Sequence, residues 1–413
     1  MKGSGRRSGL RLLLVTQYYH PEVGAAQTRL RETVVGLRLR GFGVTIVAPV
    51  PSYPLGLVPG SYSRWRPAWE RIDGVPVARL PSVVIPGAGM SRRMVGHATF
   101  AGASLASLAI ARRHDVALVE SPPLFLGITA RALRAAGLPY VFHVADPWPD
   151  FPIAMGYLQS GLERRLAFGL EDFAYRGAAA ITTVSPGLVD LLSAKRSAAG
   201  RVEHVPNGVD VDRFDSQLTP ADARRQLGWD EAFTVVYAGT VGLAQGVGSL
   251  LEAARLVASD VRIRVVGEGV EKPDLVARAR ELGLGNVTFH GSVPRADVPL
   301  ILAAADAGLV MLRRGPLYED SLPTKLLETM AAARPVIVSA DGLSARIVES
   351  SGAGYVAAAE DPVGLGRVIE ASQLDPDRAQ RGAAGRTRVV RDYERGAILD
   401  RIAELLRRAA GAA

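Results

Sequence analysis

Short apolar runs alternate along the chain with longer stretches of helical period. This pattern predicts parallel sheets whose strands are joined by crossover helices. Residues 10–16 read as a first buried strand. A loop, Gln17-Tyr18-Tyr19-His20-Pro21-Glu22-Val23-Gly24, leads into a helix that ends near residue 40. Strands are expected at 44–48 and 75–80, separated by a Pro- and Trp-rich loop over 49–69, and a helix over 91–113 follows. Strands at 116–120, 140–144 and 179–184 alternate with helices at 126–136 and 161–176, completing one doubly wound unit. The pattern then restarts. A strand at 234–237 runs into a Gly-rich loop, 238–248, and a helix at 249–257. Further strands are expected at 262–266, 287–290, 307–312, 335–339 and 355–356. Between the two units, residues 202–214 are turn-rich, with Pro206-Asn207-Gly208 marking a tight turn. The expected fold class is therefore α/β, with two Rossmann-like doubly wound domains facing a cleft. The expected division is 1–205, a linker at 206–214, 215–390, and a C-terminal helix at 391–413 that can return to the first domain.

Ligands of such sheets lie beyond the carboxyl ends of the strands, so the loops at those ends are where chemistry is expected. The most informative stretch is 316–339. Its polar loop (318–324, with Asp320, Ser321, Leu322, Pro323 and Thr324) opens a short helix carrying Lys325 and Glu328. A helix start offers free N–H groups and the positive end of the helix dipole to an anion. Lys325 adds a cation, and Glu328, one turn later on the same face, adds a hydrogen-bond acceptor. A phosphate partner beside a hydroxyl partner suits a sugar nucleotide. An intrahelical Lys325–Glu328 pair is the plainer reading of the same two residues.

Other loops offer weaker signals. Glu22-Val23-Gly24 opens a helix and lets a ligand approach the backbone, though any strand-to-helix turn needs a small residue there. His143 ends a buried strand shortly before Asp146 and Trp148, a placement suited to acid–base work or to gripping a hydroxyl. The loop 238–248 can cradle phosphate with its backbone amides. It lacks the lysine of a P-loop, which disfavours ATP hydrolysis of that type. Gly267-Glu268-Gly269 follows a strand and could come close to a nucleotide base.

Composition changes this picture little. The chain has 413 residues, 48% hydrophobic and 22% charged, an ordinary folded composition long enough for two domains. It has no cysteine, which excludes disulfides, thiolate zinc sites and cysteine nucleophiles. The first apolar run is too short for a signal-peptide core. The net charge of +8 suits phosphates or an anionic membrane; no nucleic-acid motif is present. Residues 94–111 carry no formal charge and are bracketed by Arg92-Arg93 and Arg112-Arg113. Their Ala, Gly and Ser content favours a packed helix over a spanning one, and the arginines leave room for peripheral membrane contact.

Taken together, these pieces resemble the retaining glycosyltransferases of family 4, which have the two-domain GT-B fold. The matching residues are Tyr18-Tyr19-His20-Pro21-Glu22-Val23-Gly24, Pro206-Asn207-Gly208-Val209-Asp210 with Phe214, Tyr237-Ala238-Gly239, Val266-Gly267-Glu268-Gly269, Val287-Thr288-Phe289-His290-Gly291 and Pro323 through Ala331, with Pro335-Val336-Ile337. Asp146-Pro147-Trp148-Pro149, together with Gly239, Gln245 and Gly246, is most similar to the branch of bacterial surface-polysaccharide enzymes that add sugars such as N-acetylfucosamine. The resemblance implies a C-terminal domain that holds a sugar nucleotide, UDP-linked in preference to GDP-linked. The family's acidic pair maps onto Asp320, one methylene shorter than usual, and Glu328. Its Arg and Lys after the first C-terminal strand map onto Thr240 and Gln245, so those cations are missing and Lys325 must do more.

The implied donor side comprises Gly24, Gly239, Thr240, Gln245, Gly246, Gly267, Glu268 and residues 320–325 with Glu328. The implied acceptor side comprises Tyr19, His20, Glu22, Asp146 and Trp148. His143, Lys325 and Glu328 are the implied catalytic residues. No metal or other cofactor is expected. The acceptor is expected to be a glycolipid, a glycan or a natural-product aglycone. The expected location is the cytoplasm, with contact at the inner face of the membrane. The rival readings are a nucleotide-sugar epimerase of the same fold and a non-catalytic membrane scaffold.

Overall fold

The computed structural model describes residues 9–22, 24–52, 56–85, 90–154, 156–214 and 218–411. Val23 of the first-loop motif and the basic residues before Gly9 lie outside the described residues. The chain divides into two compact units, Met1–Pro206 with Ala397–Ala413, and Asn207–Gly396.

The first unit is built on β1 (Arg11–Val15), β2 (Gly43–Pro49), β3 (Ala68–Ile72), β4 (Val75–Leu80), β5 (Val116–Ser121), β6 (Tyr140–Val144), β7 (Ala180–Thr183) and β8 (Val202–His204). They form one sheet in the order β3-β4-β2-β1-β5-β6-β7-β8, parallel except for the β3–β4 hairpin. The central strands β1, β5 and β6 are apolar and buried along almost their whole length, as a sheet covered on both faces requires. One face packs Phe100, Leu126, Leu133 and Tyr175 from the helices. The other packs Leu30, Val34 and Leu37, together with Ala403, Leu405 and Leu406 of the C-terminal helix Arg395–Ala409. Arg40–Asp400 (2.7 Å) and Arg408–Glu203 (2.8 Å) tie that helix to the unit.

Three elements differ from the periodicity reading. The loop expected over 49–69 ends in β3, whose partly polar residues pair antiparallel with β4 across a turn at Asp73-Gly74. The helix expected over 91–113 is Met90–Ser104, a 3-10 turn at Leu105–Ser107, and Leu108–Ala111. The break has a local cause. Ser104 Oγ bonds the Ala101 carbonyl (2.8 Å) and Thr129 Oγ1 (2.6 Å), giving the backbone an alternative to continuing the helix. Among the described residues the run Arg92–Ala111 is the one long and apolar enough to cross a membrane by length and composition. Phe100, Ala101 and Ala111 belong to the core. Finally, residues 202–214 are structured on both sides of the crossing. Val202–His204 is β8, and Val209, Val211 and Phe214 are buried in the second unit.

The second unit contains β9 (Thr234–Ala238), β10 (Arg262–Val266), β11 (Val287–His290), β12 (Ala307–Met311), β13 (Val336–Ser339) and β14 (Gly354–Ala357). All are parallel, in the order β11-β10-β9-β12-β13-β14. This is the strand order of a dinucleotide-binding sheet. Its direction of winding reverses between β9 and β12, which opens a crevice at their carboxyl ends. The Gly-rich loop follows β9 and the 316–323 segment follows β12, so the topology brings these two segments together.

Candidate functional site

In the second unit the site is built around the helix Thr324–Ala331. Leu326, Leu327, Met330 and Ala331 are buried, which leaves Lys325 and Glu328 on the opposite, partly open face. Pro323 precedes the helix with extended geometry, and no side chain caps the start. The segment before it is pinned from behind, because Ser344 Oγ donates to the Ser321 carbonyl at 2.7 Å.

Lys325 reaches back across the crevice to β9. Its Nζ donates to Tyr237 Oη at 2.6 Å and stands 4.1 Å from the centre of the Tyr237 ring. Tyr237 is fully buried, and its hydroxyl in turn donates to the Thr240 carbonyl at 2.5 Å. Gly239 makes room for this arrangement, since a Cβ there would sit 3.1 Å from Lys325 Nζ. Burial pulls the Lys325 pKa down to about 7, and the charge of Glu328 one turn along opposes that drop. Glu328 also faces Arg295, with Oε1 and Nη2 3.5 Å apart. The plain intrahelical pair is thus too simple: Lys325 is held by Tyr237, and Glu328 answers to Arg295.

The other second-unit residues expected on the donor side lie in the loops beside this centre. Thr240 is exposed and contributes its carbonyl to Tyr237. Gln245 Oε1 accepts the Gly242 N–H at 3.2 Å, so its side chain closes the Gly-rich loop on itself. Gly246 lies against Arg313. Glu268 is exposed and paired with Lys272 at 2.6 Å. Lys272 also donates to the carbonyls of Gly267 (3.0 Å) and His290 (2.7 Å), tying together the loops after β10 and β11. Gly267 approaches backbone: a Cβ there would lie 2.0 Å from the Gly239 carbonyl oxygen. Asp320, Ser321, Leu322 and Pro323 are half-buried, and Thr324 is exposed.

In the first unit, Glu120, His143 and Thr182 stand side by side in register on β5, β6 and β7. His143 is buried, with Nδ1 2.9 Å from Thr182 Oγ1 and Nε2 without a hydrogen-bond partner among the described residues. Burial pulls its pKa down to about 4, with Glu120 opposing the fall and Arg29 adding to it. The imidazole is therefore neutral at physiological pH. Glu120 is gripped by Arg29 through two contacts, 2.7 and 3.5 Å, from the helix Ala25–Leu39. The carboxylate acting on His143 is thus Glu120 on the neighbouring strand, and not Asp146, which is exposed on the loop after β6.

Three residues expected on the acceptor side hold the unit together instead. Tyr19 is 1% exposed and Trp148 is 8% exposed, and both pack in the core. Glu22 is buried, where it accepts the Ser52 N–H (2.8 Å) and the Gln27 amide (3.3 Å). Gly24 leaves space for that Gln27 side chain. His20 is half-buried, and its carbonyl accepts from the buried Arg79. Tyr237, Arg295, Lys272, Glu120 and Arg29 were missed as site residues. Only Lys272, four positions after Glu268, is a near neighbour in the chain; the others are brought in by strands or helices distant in sequence.

Two family models match the chain, a glycosyl transferase 4-like domain over residues 24–208 and glycosyl transferases group 1 over residues 232–372. The chain is similar to the putative colanic acid biosynthesis glycosyl transferase WcaI of Escherichia coli K12. The two are 28% identical over 344 residues, covering 80% of this chain and 84% of that protein. It is also similar to the GDP-mannose-dependent alpha-(1-6)-phosphatidylinositol monomannoside mannosyltransferase of Mycobacterium tuberculosis H37Rv, at 26% identity over 96% of this chain and 98% of that protein. Among solved structures, sucrose-phosphate synthase of Thermosynechococcus elongatus matches with a TM-score of 0.77 at 19% identity, covering 98% of this chain and all of that one. At that identity the likeness bears on the fold.

Proposed function

We propose, from the premise that the chain belongs to the family 4 glycosyltransferases with the GT-B fold, that it moves a hexosyl or N-acetylhexosaminyl group from a UDP-sugar to an acceptor hydroxyl with retention at the anomeric carbon. Its activity is that of a nucleotide-sugar-dependent glycosyltransferase of polysaccharide or glycolipid biosynthesis, and no observation favours the epimerase reading. The observation that carries the finer proposal is the Lys325 ammonium, held over Tyr237 at a helix start with Glu328 one turn away.

In the proposed reaction the bond between the anomeric carbon and the diphosphate oxygen breaks. The acceptor oxygen forms its bond to that carbon from the same face, and the acceptor proton passes to the departing diphosphate. Lys325 and the free N–H groups of the helix start meet the negative charge growing on the diphosphate. Glu328 takes a donor hydroxyl. Lys325 stands in for the cations absent at Thr240 and Gln245, and no metal or other cofactor enters the step. The neutral His143 offers its unpartnered Nε2 to a hydroxyl. His20 and Asp146 remain on the acceptor side, which is a glycolipid, glycan or natural-product aglycone. The exposed Val95 and Leu108, between Arg92-Arg93 and Arg112-Arg113, suit peripheral contact with the inner face of the membrane.

Calorimetry of the full chain against UDP-, GDP- and dTDP-sugars tests the donor site. UDP-sugars are expected to bind best and, above pH 7, to bind with proton uptake. The sign follows from Lys325. Free, it loses its proton as pH rises through about 7, whereas a bound diphosphate favours the ammonium. Affinity should therefore weaken by up to about tenfold per pH unit above 7. Binding heats that do not depend on the buffer's ionisation enthalpy at pH 8 would remove Lys325 from the diphosphate. For His143, the variant His143→Gln keeps most of the volume and should lower turnover roughly 10²-fold. Turnover equal to wild type would end its proposed role.

A further inference from the structure

At the opposite end of the first sheet, the amino ends of β1 and β5 border a cavity of about 390 Å³ that contains four arginines. They come from three distant parts of the chain. Arg11 opens β1, Arg112 and Arg113 follow the helix that ends at Ala111, and Arg407 lies in the last turn of the C-terminal helix. Asp115 lines the same cavity, but its Oδ2 accepts the Arg11 main-chain N–H at 2.7 Å. The Arg11 guanidinium donates to the Arg113 carbonyl and that of Arg407 to the Arg40 carbonyl, each at 3.3 Å. A carbonyl satisfies a donor without neutralising its charge.

Among the described residues none of the four guanidiniums has a carboxylate within ion-pair distance, while their neighbours do. Arg40 pairs with Asp400 (2.7 Å), and Arg408 pairs with Glu203 (2.8 Å) and Glu404 (3.0 Å). Between Asp73 and Asp115 the sequence carries no acidic residue, so Arg112 and Arg113 have no carboxylate before them in the chain until Asp73. A second cavity of about 330 Å³ shares Arg11 and Arg113 and adds the ring of Trp69, which is 61% exposed, with Ile110 and His114. Four guanidiniums lining one cavity against a single carboxylate, Asp115, leave an excess of positive charge suited to a multivalent oxyanion, because each planar fork matches two of its oxygens. A flat or apolar wall beside them suits the rest of such a ligand.

We propose that this cavity is a second anion site, separate from the sugar-nucleotide site. It takes a phosphate-bearing ligand with the phosphate among Arg11, Arg112, Arg113 and Arg407 and its flat or apolar remainder against Trp69. The ligand is a phosphorylated small molecule or a lipid headgroup; the chemistry of recognition is the same.

The test is calorimetry of the full chain with inorganic pyrophosphate. Arg112→Ala/Arg113→Ala and Arg407→Ala should each weaken one binding event at least tenfold. Lys325→Ala should leave that event unchanged, so failure here is distinguishable from failure of the donor site. Arg164→Ala/Arg165→Ala removes the same net charge from exposed positions away from the cavity and should also leave it unchanged. The proposal is overturned if the cavity variants bind as wild type does, or if the distant pair loses as much. Sedimentation with phosphatidylglycerol and phosphatidylcholine vesicles separates the sources. Phosphatidylglycerol binding that the cavity variants lose identifies a lipid headgroup. Pyrophosphate binding without vesicle binding identifies a soluble phosphorylated ligand.

Discussion

Replacing Lys325 with alanine should lower kcat/KM for the donor by roughly 10²–10³-fold, about 2.7–4 kcal/mol, the usual effect of removing one preorganised donor to a developing oxyanion. Both affinity and turnover should fall, because the ammonium meets the diphosphate before and during its departure. The fold should not suffer. Burial depresses the Lys325 pKa, so the charged form is disfavoured in the native protein, and its removal should leave the melting temperature level or raised. A loss of activity with no loss of stability therefore marks a functional lysine. Tyr237→Phe keeps the ring under the ammonium but removes the 2.6 Å acceptor. It should raise the donor KM about tenfold, a smaller effect because the ammonium remains while its aim is lost. It should also shift the pH dependence of donor binding, which a purely structural tyrosine would not do. If Lys325→Ala binds the best donor as tightly as wild type, the assignment of this helix start fails.

Gly267→Ala should be nearly as damaging, and by a different route. Gly267 has φ +145, a conformation side-chain-bearing residues rarely adopt. A Cβ would stand 2.0 Å from the Gly239 carbonyl oxygen and 2.9 Å from its carbon. Backbone cannot swing aside as a side chain can, so the loops after β9 and β10 must part. We expect a cost of about 3 kcal/mol to the second unit, a fall in its melting temperature of roughly 6–12 °C, and loss of donor binding as Gly239 shifts under Lys325. Gly248→Ala is the control. It opens the helix Gly248–Ala254 that follows the Gly-rich loop, and its nearest neighbour would be Leu275 Cδ2 at 3.9 Å, ordinary contact. Equal melting of the two variants would refute the backbone argument.

These two glycines show how far local pattern reaches. The strands of both units are legible because buried parallel strands are short apolar runs bounded by turns, and β4, β6, β10 and β11 have the bounds their periodicity implies. β3 and β8 escaped that reading because edge strands carry polar residues and have no such run. The helix Thr324–Ala331 is legible because Pro323, Lys325 and Glu328 are neighbours in the chain, and a helix start advertises its own chemistry. What surrounds it is not. Tyr237 lies 88 positions before Lys325, and Glu120 meets Arg29 from 91 positions away. Each pair exists only once parallel strands have taken their order and register. For the same reason Tyr19, Glu22 and Trp148 read as binding residues in a loop but turn inward in the fold. A loop's sequence does not say which side chains its scaffold will bury. Periodicity and turn chemistry are properties of adjacent residues, so the chain alone specifies the two doubly wound units and the lysine–glutamate helix. Which groups hold that lysine, which carboxylate serves His143, and why Gly267 must be glycine depend on contacts between distant segments, and those arise only when the sheets assemble.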